Sequence, residues 1–335
     1  MLAPLEGPRR GLYSGTKTHR YPHTVTGMDA TIEVRELTKR YGKTVAVDDL
    51  TFSVAPGRVT GFVGPNGAGK TTTMRLILGL ASPDVGTALV GGEPYVNKRF
   101  PLREVGALLD ATATHPGRRA RDHLLWMAQS NDLPRARVDE VLELVGLSGV
   151  GGRRTGEFSL GMAQRLGIAA ALLGDPPVLM LDEPVNGLDP EGIVWIRGFL
   201  GSLAAQGRTV FVSSHLMSEL QGTADQLIVI GRGRLLADAS VDDLLASWSN
   251  ATVDLRTPDL APAMTLLANA GAKLVSTGDD SVSVTALSAE RIADLVSEAG
   301  IRLYELTPRR ATLEEVYLEL TRGSVEHVAG GQERT

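Results

Sequence analysis

Residues 64–71 read GPNGAGKT, and this glycine-rich stretch is the strongest indication of the fold. It fits the pattern G-x-x-x-x-G-K-[ST], follows a β-branched run at Arg58–Val63 and opens a predicted helix over Gly69–Leu80. Glycines let the backbone wrap tightly enough to aim successive N–H groups at phosphate oxygens, and the helix N-terminus adds partial positive charge. A chance glycine-rich turn is the alternative, but the flanking strand and helix favour a phosphate-binding loop.

The side chains of this loop carry distinct chemistry. Lys70 can reach the β- and γ-phosphates of a nucleotide, the Thr71 hydroxyl can ligate Mg²⁺, and Thr72 can add a hydrogen bond to a phosphate. The predicted nucleotide-binding residues here are Gly64, Pro65, Asn66, Gly67, Ala68, Gly69, Lys70, Thr71 and Thr72.

A second feature is the apolar run Val178–Leu181, which ends in two carboxylates, Asp182 and Glu183. Such a run is typical of a buried parallel strand, whose carboxyl end is where ligands bind in open α/β sheets. There Asp182 would hold Mg²⁺ through its water shell, and Glu183 would be the general base that polarises the attacking water. Because apolar strands ending in Asp-Glu are common, the prediction depends on the phosphate-binding loop upstream.

The order of predicted elements gives the fold class. Strand-like runs alternate with helical ones from residue 31 to 247, which indicates an α/β fold with a mostly parallel sheet. Leu227–Ile230 and Arg234–Ala237 predict a closing hairpin. Further on, four short runs with helices between them predict a small α+β domain. These runs are Thr252–Arg256, Lys273–Ser276, Ser281–Thr285 and Ile301–Leu306.

We therefore divide the chain into four parts. The N-terminal extension, residues 1–29, is rich in Pro, Gly, Arg, Thr and His. Met28, near its end, is a candidate start of translation. A helical subdomain is predicted within the nucleotide-binding domain, at about 111–165. The parts are a disordered extension (1–29), a nucleotide-binding domain (30–239), an accessory α+β domain (240–322), which a helix at Leu313–Leu320 closes, and a flexible tail (323–335).

The composition excludes several classes of protein. Cysteine is absent, which rules out disulfides and thiolate metal sites. An aromatic content of 4% argues against a stacking surface for single-stranded nucleic acid, and the net charge of −5 argues against a broad binder of the phosphate backbone, with a local basic patch left open. No stretch approaches the roughly 18 consecutive apolar residues that span a bilayer, so work at a membrane requires a separate spanning partner.

Residues 158–165, FSLGMAQR, lie between the phosphate-binding loop and the Asp-Glu strand. This arrangement resembles ATP-binding cassette (ABC) proteins, in which an L-S-G-G-Q segment stands between the same two features. The matching residues are Ser159, Gly161, Gln164 and Arg165, and the departures are Phe158, Leu160 and Met162. The form resembles the ATP-binding subunits of bacitracin- and anthracycline-type resistance exporters. On spacing alone, a plain helix start with a serine N-cap remains open.

The resemblance implies roles for residues outside the loop. Ser159 and Gly161 would cap the γ-phosphate of the ATP bound by a neighbouring subunit. His215 would touch the γ-phosphate as a third catalytic residue beside Lys70 and Glu183.

Two further positions match the family in order along the chain. Tyr41 would stack on adenine. Gly187–Pro190 would contact the partner subunit, although Pro190 also suits the first turn of a helix.

One landmark is altered. Asp110 stands where the family usually has a glutamine that touches Mg²⁺ and relays to the transmembrane partner. A carboxylate can still bind a hard cation, so the predicted metal set is Thr71, Asp182 and Asp110. The segment Ala111–Asp122 would form part of the docking surface for the membrane partner, with a plain solvated loop and helix start as the alternative.

The resemblance implies a P-loop core of ABC type that hydrolyses ATP, with Mg²⁺, to power a membrane exporter of a drug, antibiotic or other small molecule. Each motif occurs once, so we expect a homodimer of this chain together with an integral-membrane permease subunit, peripheral at the cytoplasmic face of the membrane, without nucleic acid. The alternatives are a soluble non-transport ATPase of the same kind and a lipid or polymer exporter subunit. A simple P-loop kinase or GTPase has no reason to carry both the Ser159 segment and His215.

Overall fold

The computed structural model describes residues 30–249, 252–309 and 312–325. The predicted disordered extension (1–29) and the end of the predicted tail (326–335) lie outside these residues. The elements of the N-terminal region (residues 30–249) are, in chain order, β1 Ile32–Tyr41, β2 Thr44–Val54, β3 Val59–Val63, α1 Lys70–Ile77, β4 Val85–Val90, β5 Val105–Leu108, α2 Ala120–Ser130, α3 Ala136–Leu144, α4 Leu160–Leu172, β6 Val178–Asp182, α5 Pro190–Ala205, β7 Thr209–Ser214, α6 Met217–Leu220, β8 Gln226–Gly231, β9 Arg234–Ser240 and α7 Val241–Ser249.

The central sheet has six strands in the order β5-β6-β7-β3-β8-β9. The first five are parallel and β9 is antiparallel to β8, which confirms the predicted parallel sheet and closing hairpin. A second sheet, β2-β1-β4, is antiparallel throughout. Strands β4 and β5 are absent from the sequence prediction, because both are short and each contains a glycine that weakens the strand pattern.

Alternate residues of the central strands face two separate cores, as the period of a strand requires. One core lies between the two sheets and contains Phe52, Phe62 and Phe211, whose ring centroids are 5.1–5.8 Å apart. The other lies under the helices and receives Val63 and Val212, the next residues along the same strands. Strands covered on both faces read as continuous apolar runs, which is why β3 and β6 were visible in the sequence.

Helices α2, α3 and α4 pack together at the β5 end of the sheet. The break between α2 and α3 falls around Pro134, as predicted. Helix α4 crosses β5 at very close range: a Cβ atom added to Gly106 would lie 2.0 Å from the carbonyl oxygen of Ala171. Only glycine therefore fits at this crossing.

The elements of the C-terminal region (residues 252–309 and 312–325) are β10 Thr252–Arg256, α8 Leu260–Asn269, β11 Lys273–Ser276, β12 Ser281–Thr285, α9 Ala289–Glu298, β13 Glu305–Pro308 and α10 Leu313–Val325. Its strands form a four-stranded antiparallel sheet in the order β11-β12-β10-β13. The strand β12 lies between β10 and β11, which makes the β-α-β-β-α-β run a split βαβ arrangement. Helices α8 and α9 contribute Leu267 and Ile292 to one core with Val253 and Val284.

Two further details, both in the C-terminal region, differ from the sequence prediction. The strand predicted from Ile301 begins at Glu305, because the Ile301 N–H bonds back to Val296 and finishes the end of α9 instead. The helix α10 was expected to close the accessory domain, but its apolar residues Val316 and Tyr317 join the helix-side core of the N-terminal region. Among the described residues, no helix has both the length and the apolarity needed to cross a bilayer.

Candidate functional site

The glycine-rich loop connects the end of β3 to the start of α1, as predicted. Gly69 has a φ of 106°, and a Cβ atom there would lie 2.4 Å from the carbonyl oxygen of Ala46. A Cβ atom on Gly64 would lie 2.5 Å from the carbonyl oxygen of Ile230. Neither position accepts another residue without moving backbone, so the loop owes its tight path to these glycines.

The loop lines a cavity of about 420 Å³ at the carboxyl ends of the central strands. This is where ligands bind in open α/β sheets. The residues around it are Ala46, Asn66, Gly67, Ala68, Gly69, Lys70, Thr71, Thr72, Glu183, Asn186 and His215. The predicted loop residues Gly64 and Pro65 lie beneath, where their carbonyl oxygens accept hydrogen bonds from Lys70.

Lys70 is 7% exposed, with its ammonium at the floor of the cavity. Its Nζ donates to the Gly64 carbonyl at 2.6 Å and lies 3.7 Å from Oε1 of Glu183. Burial lowers the pKa of Lys70 from its ordinary value, and the negative charges of Glu183 and Asp182 partly oppose this shift. A buried ammonium of this kind can bind an additional anion, and a phosphate group has the charge to do so.

Asp182 and Thr71 place hard oxygen atoms side by side. The Thr71 hydroxyl donates to Oδ2 of Asp182 at 2.6 Å, and the Ser213 hydroxyl donates to Oδ1. The described residues contain no group of three or more His, Cys, Asp or Glu side chains able to hold a metal by themselves. A hydroxyl and one carboxylate do fit Mg²⁺, which takes most of its ligands from water and substrate phosphates.

Glu183 and His215 lie on the opposite wall of the cavity, at the ends of the neighbouring strands β6 and β7. The Nδ1 atom of His215 is 2.7 Å from Oε2 of Glu183. The backbone N–H of Glu183 donates to the hydroxyl of Ser213 at 3.0 Å. The Glu183 side chain therefore lines the cavity, while its backbone is fixed by the contact with Ser213.

Ser159 and Gly161 do not line the cavity of their own chain. Ser159 is the N-cap of α4, and its hydroxyl accepts from the Met162 N–H at 3.2 Å. Gly161 packs on the loop after β6, where a Cβ atom would lie 2.7 Å from the Gly187 carbonyl oxygen. The N-cap alternative is thus present in the fold, and the exposed Ser159 remains free to meet another molecule.

Tyr41 and Asp110 also lie outside the cavity lining. Tyr41 ends β1 with half of its side chain exposed, and the Lys39 ammonium lies 5.5 Å from its ring centroid. Asp110 follows β5, and its carboxylate accepts from both the N–H and the hydroxyl of Thr112. These bonds lower the pKa of Asp110. Asp110 shares a second groove, of about 680 Å³, with Thr71.

Three cavity residues were missing from the sequence prediction. Ala46 and Asn186 line the cavity, and Ser213 bridges Asp182 and Glu183 beneath it. Asn186 follows Glu183 by only three residues and could have been suspected on that ground. Ala46 comes from β2 of the antiparallel sheet and Ser213 from β7 of the central sheet, and only the packing of the two sheets brings them to the site.

A strand–loop–helix phosphate site, with two carboxylates at the end of another parallel strand of the same sheet, defines the chain as a P-loop nucleotide-binding protein. A family model described as "ABC transporter" matches residues 47–186, and one described as a domain of unknown function matches residues 251–314. The chain belongs to the ABC transporter ATP-binding subunits.

Individual relatives agree with this assignment. The bacitracin transport ATP-binding protein BcrA of Bacillus licheniformis is 43% identical over 65% of this chain and 72% of its own length. The daunorubicin resistance ATP-binding protein DrrA3 of Streptomyces coeruleorubidus is 35% identical over 88% and 96%. A solved ATP-binding subunit of an ABC transporter superposes with a TM-score of 0.59 at 27% identity, over 65% of this chain and 92% of that one.

Proposed function

We propose that this chain hydrolyses ATP to ADP and phosphate as the motor subunit of a membrane exporter for a drug, antibiotic or other small molecule. The observation that carries the proposal is the meeting of Lys70, Glu183 and His215 around one cavity at the end of the parallel sheet. The relatives named for bacitracin transport and daunorubicin resistance support export of a small molecule.

Binding of the nucleotide falls to the loop. Its backbone N–H groups and the Lys70 ammonium hold the phosphates, and Tyr41 stacks on adenine from the end of β1. Thr71 and Asp182 would hold Mg²⁺, which would supply positive charge beside the phosphates. Asp110 is the third proposed ligand of the cation.

Hydrolysis uses the carboxylate of Glu183. Glu183 accepts a proton as a water molecule attacks the γ-phosphorus, the bond from that phosphorus to the bridging oxygen breaks, and ADP leaves with the electron pair. His215 holds Glu183 through Oε2 and contacts the γ-phosphate. Lys70, 3.7 Å from Glu183, keeps the attacked phosphate within reach.

Each site is completed by a second copy of the chain. Ser159 and Gly161 lie away from the cavity of their own subunit but are exposed or half-exposed at the start of α4. They cap the γ-phosphate held by the other subunit, and Gly187–Pro190 contacts that subunit. ATP closes this dimer because ADP lacks the γ-phosphate, and hydrolysis releases it.

The membrane partner docks in the groove that contains Asp110. Its lining includes the exposed apolar side chains of Leu80 and Trp126, together with Ala111 and Thr114 of the predicted docking segment. A permease segment with apolar side chains would cover them, and the chain would then act as a peripheral subunit at the cytoplasmic face of the membrane.

The test of the motor assignment is Glu183→Gln. It should lower phosphate release from ATP by at least about a hundredfold while leaving ATP binding within about twofold, because the amide keeps the shape and loses the base. Glu143→Gln, an exposed carboxylate on α3, is the matched control and should behave as the parent. Near-parental turnover by Glu183→Gln would exclude this residue as the base.

The test of the transport assignment is co-purification with an integral-membrane protein whose presence changes the ATPase rate on addition of substrate. Leu80→Ser and Trp126→Ser should weaken this association, while Val275→Ser, at an equally exposed apolar position on β11, should not. Recovery of the chain as a partnerless soluble ATPase would favour the non-transport alternative. Stimulation of the ATPase rate by lipid or polymer substrates alone would favour the second alternative, a lipid or polymer exporter subunit.

A further inference from the structure

Glu183 has a backbone conformation that few residues with a side chain adopt. Its φ is +50°, in the left-handed region, so the surrounding structure must hold it there. The Ser213 hydroxyl accepts from its N–H at 3.0 Å. Its carbonyl oxygen accepts from Nε2 of Gln164 at 3.1 Å and from the N–H of Asn186 at 3.2 Å.

Gln164 comes from a different part of the fold from the other two. It lies in the second turn of α4, the helix that Ser159 caps, and is 4% exposed. Asn186 belongs to the same turn as Glu183 and bonds to it locally. Of these contacts, the one from Gln164 joins Glu183 to the helix that begins at Ser159.

The start of α4 and the loop after β6 touch at a second point. Leu160 and Gly161 pack on Gly187, so closely that a Cβ atom on either glycine would overlap the opposite segment. A helix moves as a rigid unit over its first turns because consecutive backbone hydrogen bonds fix it. A displacement of Ser159 therefore carries Gln164 with it.

We propose that Gln164 is a positioning residue that transmits the contact between Ser159 and the nucleotide of the neighbouring subunit to Glu183 in its own subunit. The proposal rests on the function proposed above, in which Ser159 serves one ATP and Glu183 the other. It goes beyond that function by making the general base of each site sensitive to the nucleotide in the opposite site.

The first test removes the amide donor. Gln164→Met keeps the length and burial of the side chain, and should lower kcat by about tenfold with KM for ATP within about twofold. Gln129→Met, the same change at an exposed position on α2, should leave both unchanged. A kcat for Gln164→Met equal to that of the parent would overturn the proposal.

A second variant separates positioning from a loss of packing. In Gln164→Glu the new carboxylate repels the Glu183 carbonyl, whereas its protonated form can donate the missing hydrogen bond. Burial raises the pKa of such a carboxyl, so the ratio of variant to parent kcat should rise as the pH falls toward 6. A ratio that does not change with pH would mean that Gln164 acts through packing alone.

The transmission itself is measured by a double-mutant cycle. Ser159→Asp retains a good N-cap for α4 but places a negative charge against the γ-phosphate of the neighbouring subunit. If Gln164 transmits this contact, Ser159→Asp combined with Gln164→Met should lose at least about threefold less kcat than the product of the single losses. Losses that multiply would show two independent roles and overturn the coupling.

Failure of this inference can be told apart from failure of the proposed function. If Glu183→Gln is inactive but Gln164→Met is normal, the base assignment stands and the coupling does not. If Glu183→Gln remains active, the base assignment itself has failed.

Discussion

The imidazole Nδ1 of His215 lies 2.7 Å from Oε2 of Glu183, while the other oxygen of that carboxylate lies 3.7 Å from the Lys70 ammonium. The three groups come from β7, β6 and the glycine-rich loop, which the sheet order β6-β7-β3 brings together. A phosphate bound at Lys70 is therefore adjacent to a carboxylate whose orientation a histidine ring fixes.

His215→Ala should remove that restraint together with a contact to the γ-phosphate. We expect kcat for ATP to fall by about 10- to 100-fold, less than the roughly 10²- to 10⁴-fold that loss of the general base itself costs. Affinity for ADP, which has no γ-phosphate, should stay the same in a fluorescence titration. His115→Ala, on an exposed turn, is the control. Equal turnover in all three proteins would show that the contact with Glu183 has no catalytic consequence.

The two acidic candidates for Mg²⁺ should differ in their effect. Asp182 touches the Thr71 hydroxyl at 2.6 Å, whereas the carboxylate of Asp110 is engaged by Thr112 in its own turn. Asp182→Asn should raise the Mg²⁺ concentration needed for half-maximal turnover by about tenfold, since one charge on a hard ligand is lost. Asp110→Asn should change it less. A larger effect at Asp110 in this Mg²⁺ titration would reverse the assignment.

Binding of ATP should take up protons in the alkaline range. Burial lowers the pKa of Lys70, so part of the free protein carries a neutral amine at high pH, below the ordinary pKa of 10.5. Nearby phosphates favour the charged form and raise this pKa again, so the amine gains a proton on binding. ATP affinity should accordingly fall as the pH rises through the pKa of the bound state.

Calorimetric titration over a series of alkaline pH values, in buffers of different ionisation enthalpy, measures this uptake. Lys70→Arg should abolish it, because a guanidinium stays protonated throughout. Lys43→Arg, at an exposed position, should retain it. Uptake of the same size in Lys70→Arg would place the titrating group elsewhere.

The parts of the site that could be predicted are those that one short segment determines. The glycine-rich loop is a continuous strand–loop–helix unit, and Asp182 and Glu183 end a strand that is buried on both faces. Contacts across the sheet could not be predicted in the same way. Thr71 and Asp182 are 111 residues apart, and only the placement of β6 two strands from β3 brings them together.

The positioning of Glu183 was invisible for a related reason. Ser213 lies near the end of an ordinary strand and Gln164 lies in an ordinary helical run, so neither has a local pattern that points to a carboxylate elsewhere. The packing of α10 is a similar case: the spacing of Val316 and Tyr317 predicts an apolar helix face, but not which of the two cores receives it.

The crossing of α4 over β5 gives a stability prediction. Gly106→Ala should lower the free energy of unfolding by about 3 kcal/mol, because the added methyl group meets the Ala171 carbonyl and must push backbone away from backbone. Gly198→Ala is the matched control: this glycine lies inside α5 with open space around it, so alanine should raise stability by about 0.5–1 kcal/mol. Denaturant unfolding followed by circular dichroism measures both changes.

Since α4 carries Ser159 and Gln164, Gly106→Ala protein that still folds should also lose turnover. Parental stability in Gly106→Ala would mean that the helix can move off the sheet at little cost, and that α4 is too loosely seated to hold Glu183.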